Sequence, residues 1–143
     1  MDSTKNTKEK VNEVYYYITE EEFMRSVMKI ASDCGWRVYH TRDSRRSQAG
    51  FPDLTLVRTG QIIFAELKSQ KGRIKKEQQA WLDDLRENGH VDVYLWRPSD
   101  LQDIIDRLVG KSGLYHPFET IQELNEKLMG LSENKNGKIL ASQ

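Results

Sequence analysis

Apolar residues near the start of the chain recur every three or four positions, which is the spacing of one face of an α-helix. This stripe is formed by Phe23, Val27 and Ile30, with Met24 and Ala31 beside it. Thr19 precedes the stripe and Glu22 follows three residues later, as in a capping box. Ile18 is placed to pack on Phe23 as a hydrophobic staple, and Gly35 is a helix stop. We therefore predict a helix between Thr19 and Gly35.

A strand pattern follows this helix and leads into a hairpin. Residues 36–39 predict a short strand, and the polar, basic segment 40–50 predicts a loop. Two β-branched and apolar runs, 54–58 and 61–68, then flank Thr59-Gly60, a pair typical of a two-residue turn. Both faces of the hairpin are apolar, so we predict a sheet that is covered on both sides.

Helix and strand patterns alternate along the rest of the chain. They predict a helix over 75–88, a strand over 91–96, a helix opened by a Ser99–Gln102 capping box and a helix over 118–129. The short links of this strand–helix–strand unit favour a right-handed crossover and parallel pairing. The predicted fold is an α/β core with a mixed sheet flanked by helices, in the order α-β-β-β-α-β-α, plus a C-terminal helix.

The same pattern divides the chain into four parts. We predict a flexible tail over 1–13, a core over 14–110, a helical appendage over 111–131 and a second flexible tail over 132–143. No apolar run approaches the 18 residues of a membrane span, and residues 1–10 lack the apolar segment of a signal peptide. With one cysteine, Cys34, no internal disulfide can form, which fits a reducing compartment.

Charge is informative locally, because Lys and Arg (22) balance Asp and Glu (22) over the chain. Two basic clusters flank the hairpin: Arg42, Arg45 and Arg46 on one side, and Lys68, Lys71, Arg73, Lys75 and Lys76 on the other. A single basic run is more often a solvated loop, whereas two runs around one acidic centre favour phosphate binding.

That acidic centre follows from the hairpin register. If Arg58 faces Gln61 across the turn, Asp53 faces Glu66, and like charges in facing positions repel. Lys68 lies on the same face as Glu66, because side chains alternate along a strand. Two facing carboxylates beside a lysine are poor for stability, yet suit a divalent cation and a water placed against a phosphodiester.

Two further polar residues continue inward-facing helical stripes. Glu20 lies three and four residues before Phe23 and Met24, and Gln78 has the same relation to Trp81 and Leu82. Glu20 is equally explained as a favourable negative charge at a helix N-terminus. Gln78 is equally explained as a boundary residue that satisfies a backbone group. The three histidines do not form a metal-ligand set.

With these residues assembled, the chain resembles the VRR-NUC family of the PD-(D/E)xK nuclease superfamily, in its stand-alone bacterial or viral type. The resemblance covers about residues 19–108. The matching stretches are Gly35-Trp36-Arg37-Val38-Tyr39-His40, Gly50-Phe51-Pro52-Asp53-Leu54, Phe64-Ala65-Glu66-Leu67-Lys68, Lys71-Gly72-Arg73, Gln78-Gln79-Ala80-Trp81-Leu82 and Trp96-Arg97-Pro98. A restriction-endonuclease-like core is the fold that this resemblance implies.

The resemblance also implies roles for individual residues. Asp53, Glu66 and the Leu67 carbonyl would bind Mg²⁺, with Mn²⁺ as a substitute, and Lys68 would orient or deprotonate the attacking water. Glu20 would be the helix acid of the site, although Glu21 and Glu22 leave its alignment open, and Gln78 would be the glutamine of the following helix. The residues expected to contact the DNA backbone are Arg42, Arg45, Arg46, Arg73 and Lys75.

The expected function is a metal-dependent DNA endonuclease, selective for branched DNA such as Holliday junctions and acting as a homodimer in repair or recombination. The expected location is the cytoplasm of a bacterial cell or of a virus-infected one. Two alternatives stay open from the sequence: a nuclease that cuts flaps or duplex DNA, and a catalytically silent nucleic-acid-binding module.

Overall fold

The computed structural model describes residues 13–42, 46–110 and 126, which form a four-stranded sheet flanked by helices. The elements are α1 (Glu20–Asp33), β1 (Arg37–His40), β2 (Leu54–Arg58), β3 (Gln61–Leu67), α2 (Lys76–Arg86), β4 (Asp92–Trp96), a 3-10 turn (Pro98–Asp100) and α3 (Leu101–Val109). Their order is the predicted α-β-β-β-α-β-α. The architecture is therefore a mixed α/β, restriction-endonuclease-like core.

The strands lie side by side in chain order, β1-β2-β3-β4. β1, β2 and β3 are antiparallel, and β4 runs parallel to β3 after the α2 crossover, as the short links predicted. The hairpin register is also the predicted one, since Arg58 pairs with Gln61 and Leu54 with Ala65. Gly60 closes the turn with φ +75, a conformation that glycine adopts without steric cost.

The first helix begins as its sequence predicted. The Glu22 backbone N–H donates to Thr19 Oγ1, and the Thr19 N–H donates to Glu22 Oε2, both at 3.1 Å. This is a complete capping box, and it satisfies donors that the first helical turn leaves unpaired. Ile18 and Phe23 are both buried in the core, as a hydrophobic staple requires.

The hydrophobic core lies between one face of the sheet and helices α1 and α3. Its members include the inward stripe of α1 (Phe23, Val27, Ile30, Ala31), alternate residues of the strands (Leu54, Leu56, Ile63, Ala65, Leu67) and the α3 stripe (Ile104, Ile105, Leu108). Helix α2 covers part of the opposite face, where Phe51 stacks edge-on against both Phe64 and Trp81. Aromatic pairs in this geometry add to the stability from buried area.

Coverage of that second face is incomplete, which corrects one prediction. Val57 and Ile62, at the turn end of the hairpin, are 42% and 36% exposed. Helix α2 has 11 residues and packs over the β3–β4 side, so the end of the hairpin on that face remains open. The apolar pattern of both faces correctly predicted strands and a sheet with helices on both sides, but one face is covered only in part, since Val57 and Ile62 stay exposed.

The start of the third helix also differs from its prediction. Ser99 and Gln102 do not form a capping box: the N-cap of α3 is Asp100, without a side-chain cap. Pro98–Asp100 instead forms a 3-10 turn, and the Ser99 hydroxyl accepts a hydrogen bond from Gln70 Nε2 at 2.9 Å. Except for Glu126 and Glu13, which are both helical, the predicted helix over 118–129 and the predicted tails lie outside the described residues. The predicted domain boundaries stay predictions.

Candidate active site

The hairpin register brings Asp53 and Glu66 together at the end of the β2–β3 ladder. Leu54–Ala65 is the last described pair of this ladder, and Asp53 and Glu66 are the next residue on each strand. Asp53 Oδ2 accepts a hydrogen bond from the Leu67 backbone N–H at 2.9 Å. This bond fixes the Asp53 carboxylate against β3, beside Glu66.

Glu66 is the most unusual residue of the fold, because a carboxylate that is only 1% exposed must usually be paired. Both of its side-chain oxygens are buried, and neither has a hydrogen-bond partner in the described part of the chain. Burial, followed by the negative charge of Asp53, raises the pKa of Glu66 to about 8, against the opposing effect of Lys68. Burial and the Asp53 charge therefore favour the protonated form of Glu66, and a bound cation would displace that proton.

Lys68 completes the cluster from the same face of β3. Its ammonium nitrogen lies 3.4 Å from Glu66 Oε1, and the residue is 7% exposed. That distance is longer than a typical hydrogen bond of an ammonium group, which agrees with the unsatisfied oxygens of Glu66. The backbone N–H of Lys68 donates to the Trp96 carbonyl at 3.0 Å, so the parallel pairing with β4 extends one residue to hold the lysine.

The loop before Asp53 lies in close contact with helix α2, which the sequence did not reveal. This contact holds Asp53 from its N-terminal side. Gly50 has φ +93, and a Cβ at this position would lie 2.5 Å from the Glu77 carbonyl carbon in the first turn of α2. Trp81 Nε1 donates to the Ala49 carbonyl at 3.1 Å. The Gly-Phe-Pro-Asp segment is thus pressed against α2, where only glycine fits.

Thr41, the residue directly after β1, holds the same segment from the other side. The Thr41 backbone N–H donates to the Asp53 carbonyl, and the Thr41 hydroxyl donates to the Pro52 carbonyl, both at 3.0 Å. Asp53 is therefore positioned from three sides: Thr41 holds its backbone, Leu67 of β3 holds its carboxylate, and the approach of Gly50 to α2 holds the loop before it.

Arg97 is a second residue whose role the sequence did not indicate. Its Nη1 atom donates to the carbonyls of Ser69 at 2.8 Å, Gly72 at 2.7 Å and Gln70 at 3.4 Å. This guanidinium organises the loop that directly follows Lys68. The stretch Trp96-Arg97-Pro98 carried the resemblance, yet only the fold places Arg97 against that loop.

The two polar helix residues occupy different environments. Gln78 Oε1 accepts a hydrogen bond from the Lys75 backbone N–H at 2.9 Å, so its carbonyl oxygen caps α2. Glu20 is the half-buried first residue of α1. Across residues 13–42, 46–110 and 126, no group of three or more His, Cys, Asp and Glu residues is arranged to hold a metal. The described fold thus pairs Asp53 with Glu66 and does not add Glu20 to that pair.

The predicted DNA-contact residues that the structure describes are all exposed: Arg42, Arg46, Arg73 and Lys75. Arg45 lies outside the described residues. Arg42 follows Thr41 directly and is thus next to the Asp53 segment, whereas Arg73 and Lys75 follow the Arg97-bound loop. Lys71, in that same loop, lies 4.5 Å above the ring of Tyr16, a residue that precedes α1. This cation–π contact connects the start of α1 with the loop after Lys68.

A cavity of about 930 Å³ lies elsewhere, on the side of α3. Its lining includes Cys34, Trp36, Arg58 and Arg107, and contains none of Asp53, Glu66 and Lys68. Gly110 also lines this cavity, and its lining assigns no ligand. Burial raises the pKa of the Cys34 thiol, which makes it a structural residue rather than a nucleophile.

Comparison with known proteins gives a family match. The model of the VRR-NUC domain matches residues 3–99, which is more than half of the chain. Neither the comparison with curated proteins nor the comparison with solved structures finds a match. Among the described residues, no helix is long and apolar enough to span a bilayer.

Proposed function

The chain belongs to the VRR-NUC domain family and therefore carries a nuclease domain that acts on DNA, and from this premise we propose a more specific function. It is a Mg²⁺-dependent endonuclease that hydrolyses phosphodiester bonds, with branched DNA such as a Holliday junction as its substrate. The observation that carries the chemistry is Glu66, a buried carboxylate beside Asp53 whose two oxygens lack hydrogen-bond partners among the described residues.

The residues at this position fit a divalent cation. Hard cations bind carboxylate and carbonyl oxygens, and a cation would offset both the repulsion between Asp53 and Glu66 and the burial of unsatisfied oxygens. Asp53 and Glu66 would hold Mg²⁺ or Mn²⁺ together with the Leu67 carbonyl. When bound, the cation would lower the pKa of a water and stabilise charge on the phosphate.

Lys68 supplies the positioning of the attacking water. Its ammonium is buried and lies beside Glu66, so it can donate hydrogen bonds to a water and to a phosphate oxygen. Its positive charge is then aimed at the place where negative charge develops in the transition state. Asp53, fixed by the Leu67 N–H, keeps the carboxylate pair in one orientation while this happens.

Gln78 and the basic residues bind the DNA backbone. The Gln78 side-chain oxygen caps α2, and its amide nitrogen remains as a donor to a phosphate or to the attacking water. Arg42, Arg45, Arg46, Arg73 and Lys75 flank the carboxylates along the chain and contact phosphates. Such contacts position the DNA without reading its sequence.

The enzyme acts as a homodimer, because symmetric cutting of a four-way junction requires two active sites related by a two-fold axis. Light scattering after size-exclusion chromatography at micromolar concentration tests this. A dimeric mass supports the proposal, and a monomer that still makes paired cuts would refute it.

The decisive experiment compares cleavage of labelled four-way junction, flap and plain duplex DNA in Mg²⁺ or in EDTA. Asp53→Ala is the test variant, and Asp103→Ala, at an exposed position of α3, is the matched control. We expect paired cuts in the junction by the wild type and by the control, lost in EDTA and in Asp53→Ala.

The other outcomes separate the alternatives. Cleavage of flaps or duplex alone would keep the metal chemistry and change the substrate. Full activity of Asp53→Ala would refute the assignment of the catalytic residues. DNA binding without any cleavage would favour a silent binding module.

A further inference from the structure

We infer that Tyr39 is a base-stacking residue that contacts a DNA base freed from the helical stack next to the cleavage site. The inference rests on the proposed function and deepens it, because it identifies a residue by which branched DNA is preferred over continuous duplex. Neither the resemblance nor the family match assigns a role to this residue.

The sheet register places Tyr39 on the same face as the carboxylates. Tyr39 pairs with Thr55, and Thr55 pairs with Phe64. Asp53 lies two residues before Thr55, and Glu66 lies two residues after Phe64. Because side chains two apart on a strand share a face, Tyr39, Asp53 and Glu66 project from one side of the sheet.

Tyr39 is also the most exposed of the large hydrophobic residues in the described chain, at 62%. It lies on β1, the edge strand, while α2 packs over the β3–β4 side of this face. Its neighbours on the open part of the face are Thr55 and, two residues away on β1, the exposed Arg37. A large aromatic ring is therefore held in solvent beside the candidate active site by a rigid strand.

The spacing suits a nucleotide close to the scissile phosphate. Tyr39 and Thr55 face each other on neighbouring strands, which lie about 5 Å apart. Asp53 is two residues from Thr55 along the chain, a distance of about 7 Å. The resulting backbone separation of about 8–9 Å corresponds to two or three nucleotide steps of about 3.4 Å along one strand. A base at that distance in continuous duplex is stacked and paired, whereas at a branch point it can leave the stack.

Charge favours DNA as the occupant of this face. Arg37 lies beside Tyr39, and the exposed Arg42 follows two residues after the end of β1. Arginine next to an aromatic platform binds the phosphate while the ring binds the base, and base–aromatic stacking tolerates any base. The face is also continuous with the Asp53–Glu66–Lys68 cluster, where a phosphodiester must lie for cleavage.

The test measures stacking directly, in EDTA so that catalysis plays no part. The substrates are four versions of one four-way junction. Each carries a single 2-aminopurine, a base whose fluorescence rises when it is unstacked, at one of the four positions that flank the branch point. The proteins are the wild type, Tyr39→Phe and Tyr39→Leu, which keep or remove the ring at similar bulk. Ile62→Thr, further from the site on the same face, is the matched control.

We expect at least one position whose fluorescence in the complex is higher with Tyr39→Leu than with the wild type, Tyr39→Phe or Ile62→Thr. Loss of one stacking contact should weaken junction binding by about five- to a hundredfold and leave binding to continuous duplex within about twofold. Thermal melting checks that each variant is folded.

Equal fluorescence for wild type and Tyr39→Leu at all four positions, with the junction bound, would overturn the inference and leave the proposed nuclease intact. Equal weakening of junction and duplex binding would also overturn it, since that result indicates a general backbone contact. If the wild type binds no DNA in any form, the proposed function fails first, and the inference fails with it.

Discussion

Replacement of Glu66 by glutamine should remove a pH dependence that the fold builds into the protein. The pKa of Glu66 rises from 4.5 to about 8, mainly through burial and then through the charge of Asp53. Between these two values the folded protein holds a proton that the unfolded chain has released. The free energy of unfolding therefore falls as pH rises through this window. Below and above the window, Glu66 contributes no change of stability with pH.

The magnitude follows from the same two values. Each unit of pKa difference corresponds to about 1.4 kcal/mol, so ionisation of Glu66 would cost about 5 kcal/mol over the whole window. Such a cost is a large share of the total stability of a small domain. Glutamine has the same shape and no charge, so Glu66→Gln should lose this component of the pH dependence and be the more stable protein at pH 8.5, in EDTA.

The assay is urea denaturation at intervals from pH 5 to 8.5 in EDTA. The control is Glu87→Gln, at an exposed position, which should follow the wild type. We expect the wild type and Glu66→Gln to diverge by several kcal/mol as pH rises. Saturating Mg²⁺ should then stabilise the wild type at high pH by about 3 kcal/mol at a hundred times its dissociation constant, and leave Glu66→Gln nearly unchanged. Parallel pH profiles in EDTA would refute the reasoning.

The other predictions concern the residues that hold the site in place. Gly50→Ala should lower the free energy of unfolding by about 2–4 kcal/mol and remove much of the activity, because a Cβ there would lie 2.5 Å from the backbone of α2. The control Gly60→Ala, at a glycine with positive φ but open space around it, should lower it by about 1 kcal/mol. Equal urea midpoints for the two variants would contradict this prediction. Arg97→Lys should lower the free energy of unfolding by about 1–3 kcal/mol and slow cleavage, since lysine cannot reproduce the planar guanidinium that donates to three carbonyls. Urea denaturation measures the stability and single-turnover kinetics measure the cleavage rate. An unchanged cleavage rate would argue against a role of Arg97 in positioning the Lys68 loop. Thr19→Ala should lower thermal stability by about 1 kcal/mol and Thr19→Ser should not, whereas equal melting of the two would show that the cap contributes nothing.

Local signals in the sequence determined much of the scaffold. The capping box at Thr19 and the turn at Thr59-Gly60 each involve residues that are close in the chain, so their geometry follows from short-range hydrogen bonding and backbone preference. The two-residue turn also fixed the strand register, since each pair counted outward from the turn follows from the one before, down to Leu54 with Ala65. The facing of Asp53 and Glu66 could therefore be predicted by counting residues.

Tertiary structure alone decided how that pair behaves. The burial of Glu66, the approach of Gly50 to α2 and the binding of the Lys68 loop by Arg97 all join residues that are far apart in the chain. The same holds for what the pattern predicted wrongly, such as the coverage of Val57 and Ile62. An apolar pattern shows which residues favour burial, but the length and placement of a packing helix decide which of them are buried, and burial in turn decides where a carboxylate retains its proton.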